Sequence, residues 1–386
     1  MAIAASGAVS FSDLRTEFVS GSGAVSFSDL YRGGSNIRSK AANNNAVNLA
    51  ASVPTSGIIN FTNFRNTAKG FRYTYSSTAT NQNASTLFGD DYAVNYPKEI
   101  IVNSGVELGA TSTAEEALQI DSGASGTITV TNNGTLTGAG GAANGGTGGD
   151  AFEANVACTF INNGTIRSGG GGGGSGGNGG QGGNGSFTSY GSFTSYYAGN
   201  SNYHCNEDQI DYGWMYWNNG VRVRWNFSTI GYKAGGFNNS PQTFGGYEYH
   251  RGSQFCDDGE NNRDGRRVRR RSVSSGTSTG GAGGAGGVGG VGTGYNQNAG
   301  AGSSGSGGAS GGTNAGSGGS GGSGSTGGGF GASGTAGSNG NSGANGNASN
   351  GAGGASGSAG GAAGAAIRGI ASVTLTNSGT ITGGQV

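Results

Sequence analysis

His204 and His250 are the only histidines in the chain, and Cys158, Cys205 and Cys256 the only cysteines. His204 and Cys205, with His250 and Cys256, could be read as zinc ligands, but their spacing fits no zinc pattern. Cys205 and Cys256 bracket about 50 residues and could close a disulfide or stand as two free thiols. No nucleophile elbow, P-loop or metal-protease motif occurs. With two histidines and few carboxylates outside loops, catalysis has little to draw on. No catalytic residue, cofactor or metal is expected.

The chemistry on offer is that of binding. Residues 186–275 hold all 3 tryptophans, both histidines and most of the tyrosines. "SFTSYGSFTSYY", Ser186–Tyr197, is an internal duplication. "YGWMYWNNGVRVRWNF" reads as a hairpin, with Tyr212–Trp217 and Val221–Phe227 joined through Asn218-Asn219-Gly220. Tyr, Trp, Ser, Gly and Asn together resemble the composition of binding loops, where aromatics supply contact area at low entropic cost. The plainer reading is a small β domain whose aromatics fill its own core. Tyr190, Tyr196, Trp214, Trp217 and Trp225 are the candidate contacts. The run "RDGRRVRRRS", Arg263–Ser272, adds Arg266, Arg267 and Arg269. It follows the acidic "CDDGENN", so it reads either as a locally neutralised loop or as a site for lipopolysaccharide phosphate or acidic protein loops. A net charge of zero and the lack of a known module argue against nucleic acid.

This stretch must be held by something, and glycine is what surrounds it. Of 386 residues 90 are glycine, over three times the usual share, while charged residues are 10% and prolines number 3. Gly280, Gly283, Gly286, Gly289 and Gly292 keep a spacing of three; so do Gly318 to Gly327, Gly331 to Gly346 and Gly351 to Gly360. A period of three matches an extended left-handed helix with three residues per turn and no internal hydrogen bonds. Collagen needs proline, and none follows Pro241. A polyglycine-II bundle, in which neighbouring helices satisfy each other's backbone, is expected over a disordered linker.

Short β units flank the glycine. "TITVTNNGTLTGAGG" (Thr127–Gly141), "CTFINNGTIRSGG" (Cys158–Gly170) and "VTLTNSGTITGG" (Val373–Gly384) each read as two short strands around an Asn-Asn-Gly or Asn-Ser-Gly turn. "IIVNSGVELGA" (Ile100–Ala110) is a weaker copy. Similar units stack or pair, so the unit ending at Gly384 is expected beside the one ending at Gly170, with about 171–366 an excursion between them. At the N-terminus "SGAVSFSDL" occurs at Ser6–Leu14 and Ser22–Leu30, with a looser copy at Ser56–Phe64. Ser10 with Asp13, and Ser26 with Asp29, have capping-box spacing. Phe11, Leu14, Phe27 and Leu30 would either pack locally or anchor the region to a larger assembly.

Glycine of period three, interrupted by an aromatic segment, resembles the receptor-recognising adhesins at the tail-fibre tips of T-even-like bacteriophages. "SGAVSFSDLRTEF" is similar to the start of many phage tail and tail-tip proteins. The resemblance implies a sandwich of polyglycine-II helices presenting host-binding loops; such adhesins interleave several short loops, whereas this chain has one long insertion. The expected fold is mostly β and irregular: short N-terminal helices, β-hairpin rungs, and a polyglycine-II bundle with an aromatic β-rich insertion. The expected divisions are an attachment region 1–70, a β-rich base 71–135, a rung with the first glycine helices 136–185, the contact insertion 186–275, glycine helices 276–366 and a closing rung 367–386. The expected role is a non-enzymatic adhesin of the virion tail, made in the host cytoplasm. Its partners would be other tail proteins, a bacterial surface receptor and copies of itself, a trimer among the arrangements, with no nucleic acid and no membrane insertion. Competing readings are a structural collar, tail-tip or decoration protein and an ice-binding glycine protein.

Overall fold

A computed structural model describes residues 3–19, 24–199, 212–216, 222–226, 242–244, 246–255 and 265–386; between 195 and 270, side chains are described only for 246–248. The architecture is mostly β with few helices. All three N-terminal motif copies end in a helical turn: α1 (Phe11–Phe18), then single turns at Phe27–Leu30 and Phe61–Phe64. Ser10 with Asp13, Ser26 with Asp29, and Asn60 with Asn63 cap them reciprocally. Leu14, Phe18, Leu30 and Phe64 are fully buried and share one small core with Ile37, Ala50 and Val53. Leu14 and Leu30, expected as attachment residues, therefore serve the core of this region, because three turns together bury what one could not. Phe11 and Phe27 are only half-buried. Their rings meet edge to face at 5.4 Å, and Phe27 meets Phe61 at 5.2 Å.

β1 (Val47–Asn48) pairs antiparallel with β2 (Phe71–Tyr75) and joins this region to a three-sided parallel β-solenoid. Asp91 reinforces the junction. Its fully buried carboxylate accepts from Arg38 (2.7 Å), the Ala41 N–H (2.7 Å) and Asn44 (3.0 Å). Burial alone would raise its pKa; these donors outweigh burial and hold it below the usual carboxylate range.

The first coil is β2, β3 (Ala79–Thr80) and β4 (Gln82–Asn83), followed by the short helix α2 (Ala84–Phe88). The second is β5 (Lys98–Val102), β6 (Glu107–Gly109) and β7 (Leu118–Ile120); the third is β8 (Ile128–Asn132), β9 (Thr135–Thr137) and β10 (Phe152–Ala154). The fourth starts with β11 (Cys158–Asn162) and β12 (Thr165–Arg167). Residues 168–364 then leave it, carrying β13 (Gly185–Tyr190), β14 (Thr194–Gly199), β15 (Tyr212–Tyr216), β16 (Arg222–Asn226), β17 (Gln242–Phe244), β18 (Tyr247–Phe255) and β19 (Gly265–Ser278). The coil resumes with β20 (Ala365–Arg368), and β21 (Val373–Asn377), β22 (Thr380–Thr382) and β23 (Gly384–Gln385) form the fifth.

Equivalent strands of successive coils pair in parallel, giving one side of the solenoid each. β11 pairs with β21, and β12 with β22, so the last unit does lie beside the one ending at Gly170. The expected hairpins do not form: β8 and β9 lie in different sheets, as do β11 and β12. The Asn-Asn-Gly sequences turn corners between sheets. Asn132 donates to Asn162 (2.8 Å) and Asn162 to Asn377 (2.7 Å), a ladder running up that corner. Gly134 and Gly164 do not need positive φ there. They are required because a Cβ would meet the carbonyl of the coil below at 2.2 and 2.1 Å. Inside, Ile100, Val130 and Phe160 stack in register, as do Leu108, Leu136 and Ile166. Leu118, Phe152 and Ile367 complete the third side.

One corner lengthens through the first four coils. It is Asn81 alone in the first, residues 110–117 in the second, 138–151 in the third and 168–364 in the fourth. Within the last, six glycine legs run back and forth: I (168–184), II (279–293), III (300–312), IV (316–328), V (331–346) and VI (349–364). Between any two bonded legs, the N–H to carbonyl bonds recur every third residue. Leg I donates to II through Gly173, Gly176 and Gly179, and to V through Gly174, Gly177 and Gly180. Leg IV donates to I through Gly319 and Gly322, and VI to I through Ala352, Ala355 and Ser358. The full set of bonds gives two layers, II–I–VI and III–IV–V, with adjacent layers cross-linked.

Glycine content follows position in this array. Legs I and IV sit mid-layer with four neighbouring legs each, and both carry mostly two glycines in every three residues. Leg II does too; on its side toward leg I, Gly289, Gly286 and Gly280 donate to the side chains of Asn144, Asn178 and Asn184. Legs III, V and VI lie at layer ends and carry side chains at most other positions. A close backbone approach needs a missing Cβ, and the two legs with four neighbours have the fewest positions where a side chain fits.

Candidate functional site

The ends of the legs define two ends of the array. At the base, Gly170 bonds Thr293, Gly331 bonds Ser168, and Gly364 bonds Gly169. Tyr295 and Phe330, the aromatics that interrupt the glycine phase, anchor this end to the solenoid. The Tyr295 ring covers Gly109, where a Cβ would lie 2.1 Å from it. Arg167 stacks on Phe330 at 4.1 Å while its guanidinium bonds Glu107 at 3.0 Å.

At the tip, leg I ends at Asn184 and leg II begins beside it, with the insertion between them. The turns joining III to IV and V to VI, around Asn314 and Asn347, lie here too. The insertion starts as an antiparallel pair, β13 on β19, in register from Gly185↔Ser278 to Tyr190↔Val273. Phe187 has room because Gly276 stands opposite it; a Cβ there would lie 2.6 Å from the ring. Beyond this stalk β14 takes over on the same side of β19, with β15 and β16 outside it. β18 and β17 lie on the other side.

The basic run is thus not a loop. Arg266 to Arg271 occupy β19, the central strand, between β14 and β18. Arg271 is the member of the run whose side chain is described. Arg271 lies opposite Glu248 and forms a short ion pair with that buried carboxylate. Its guanidinium also lies 3.8 Å from the Tyr190 ring and 4.9 Å from the Phe193 ring. Tyr190 is 49% and Phe193 42% exposed.

Of the expected contacts, Tyr190 is on the surface at the head of the stalk. Tyr196 falls on β14, Trp214 on β15, Trp225 on β16, and Arg266, Arg267 and Arg269 on β19, with their side chains outside what is described. Trp214 lies opposite Arg224 in the expected β15–β16 pair. Trp217, Cys205 and Cys256 lie outside the described residues. Cys158 is buried in the solenoid with a free thiol pushed up to about 11 by burial. Sequence reading missed Phe193, Glu248 and Arg271, and also Asn314 and Asn347. The asparagines carry a signal in hindsight, since they stand where the glycine phase breaks. Among the described residues no group of three or more His, Cys, Asp and Glu could hold a metal, and no helix is long and apolar enough to cross a membrane.

A family model described as phage tail fibre adhesin Gp38 matches residues 70–266. The match starts at the solenoid, runs through leg I and ends within β19. Comparison with curated proteins and with solved structures gives no match. With just over half of its residues inside that match, the chain belongs to the family of phage tail fibre adhesins.

Proposed function

We propose that this tail adhesin binds a bacterial surface receptor, an outer-membrane protein loop or lipopolysaccharide, through its insertion, residues 186–275. The glycine legs serve as a polyglycine-II scaffold that stiffens and presents it. Residues 1–70 attach the chain to other tail proteins, with Phe11, Phe27 and Phe61 the rings left accessible. No catalysis is required of it.

The observation that carries the reading is the exit point: the insertion leaves the array at the end remote from the solenoid. Three features support the scaffold assignment. Bonds between legs recur every third residue. Among glycines of the legs only Gly331, at the turn into leg V, has positive φ. No Asp, Glu, Lys or Arg occurs from 279 to 364. Exposed Tyr190 and Phe193, beside the arginine-bearing β19, suit a surface that combines π-faces with positive charge.

The test replaces residues 187–276 by a short turn joining Ser186 to Thr277, which are already paired. Particles carrying this chain should assemble and fail to adsorb to host cells. Normal adsorption would remove the contact assignment, and failed assembly would point to a structural role instead.

A further inference from the structure

The insertion is joined to the array by two strands, and a two-stranded stalk alone would swing. Two asparagine side chains converge on its first residues from two different turns. Asn347 Oδ1 accepts from the Ser186 N–H at 2.6 Å, and its Nδ2 donates to the Ser186 carbonyl at 2.9 Å. Asn314 Nδ2 donates to the same carbonyl at 3.0 Å. The N–H of Asn184 donates to Ser349 Oγ at 2.8 Å, and its carbonyl accepts from the Ala348 and Ser349 N–H groups at 3.1 and 3.2 Å. The two turns are themselves linked, Asn347 N–H to Asn314 carbonyl at 3.1 Å. On the other strand Ser278 Oγ donates to the Thr313 carbonyl.

We infer that Asn314 and Asn347 are positioning residues for adhesion: they lock the insertion in one orientation on the tip of the array. The inference rests on the reading of the insertion as the receptor-contact region. Turn chemistry explains part of Asn314, whose φ is +60°, a conformation asparagine tolerates. It does not explain why the side chain reaches across to another element. Asn347 has no positive φ, so its backbone does not demand asparagine. Its amide instead pairs with both backbone groups of Ser186, as a neighbouring strand would. Each bond is exposed and weak alone. Together they hold one residue at the root of the stalk. A contact surface that swings presents its productive orientation only part of the time, and apparent affinity falls by that fraction.

The experiment uses the full chain on particles, with Asn314→Ala and Asn347→Ala combined. Spin labels at exposed Ser304 on leg III and exposed Ser274 on β19 report the orientation. The distance distribution should broaden while protection of the Gly334, Gly337 and Gly340 amides stays unchanged. If the productive orientation drops to about a tenth, adsorption slows about tenfold. Asn347→Asp, which keeps the acceptor toward the Ser186 N–H and loses the donor, should fall between. An unchanged distribution overturns the lock, and so does a collapse of array protection, which would mean the asparagines only hold the array together. A broadened distribution with normal adsorption overturns the link to adhesion. Chains lacking residues 187–276 serve as the control. If they adsorb normally, the contact reading fails by itself, while the distance result still decides the lock.

Discussion

Glu116 sits on the corner before β7, half-buried near the root of the array. Burial raises its carboxyl to about 7, and the charges of Glu153 and Asp150 add to the rise. A carboxyl protonated more readily in the folded state contributes stability below its unfolded pKa of 4.5 and loses that share as pH rises through about 7. Glu116→Gln should therefore be more stable than the parent at pH 8 and lack this loss between pH 4.5 and 7. Thermal midpoints across that window check it; parallel curves would place the carboxylate in water. Lys98 shows the other way a buried charge is managed. Burial pulls it down to about 8, and its ammonium donates to the carbonyls of Val94 (2.8 Å), Tyr96 (3.0 Å) and Ser125 (2.6 Å). Neither environment is legible in sequence, because partners such as Glu116 and Glu153 meet only when coils stack. The helix caps are legible, because Ser10 and Asp13 are three residues apart and close by themselves.

At the scale of the element, adjacent glycines differ in kind. A Cβ on Gly354 would lie 2.0 Å from the Gly340 carbonyl oxygen, whereas one on Gly353 meets nothing within 4 Å. Gly354→Ala should cost on the order of 1–3 kcal/mol through overpacking. Gly353→Ala should be neutral or stabilise by about 0.4–1 kcal/mol, through a less flexible unfolded chain. Equal effects in thermal denaturation would contradict the packing of legs V and VI. The amides of Gly334, Gly337 and Gly340 donate to Gly361, Ser358 and Ala355. They should exchange slowly with solvent, whereas linker-like exchange would dissolve the array. The spacing of glycine along the legs was legible because a period of three is a local property of the chain. The strands β4, β7, β10 and β20 were not, since runs of two to four residues carry too little alternation to register. The Asn-Asn-Gly corners were misread as hairpins for a related reason. Both uses want the same residues, and only the pairing partner tells them apart.

Across the whole molecule, a solenoid corner has grown into a two-layer array, and the array carries an insertion at its far end. Both ends of the excursion are tied down, by β12 on β9 before it and by β20 on β10 after it. Replacing residues 187–276 should therefore leave the thermal transition of solenoid and array in place while abolishing adsorption. Loss of that transition would mean the insertion is part of the scaffold.

By itself the sequence determined the spacing of glycine, the capped N-terminal turns and the kinship of the β units that border the excursion. These depend on residues near one another or on resemblance between copies. Only the tertiary structure decided that two legs would sit mid-layer, that Leu14 and Leu30 would be core, and that Asn314 and Asn347 would meet Ser186. Those outcomes depend on how many times the chain turns back and on the length of each leg. Backbone groups left open by one leg must find partners on whichever legs fall beside it.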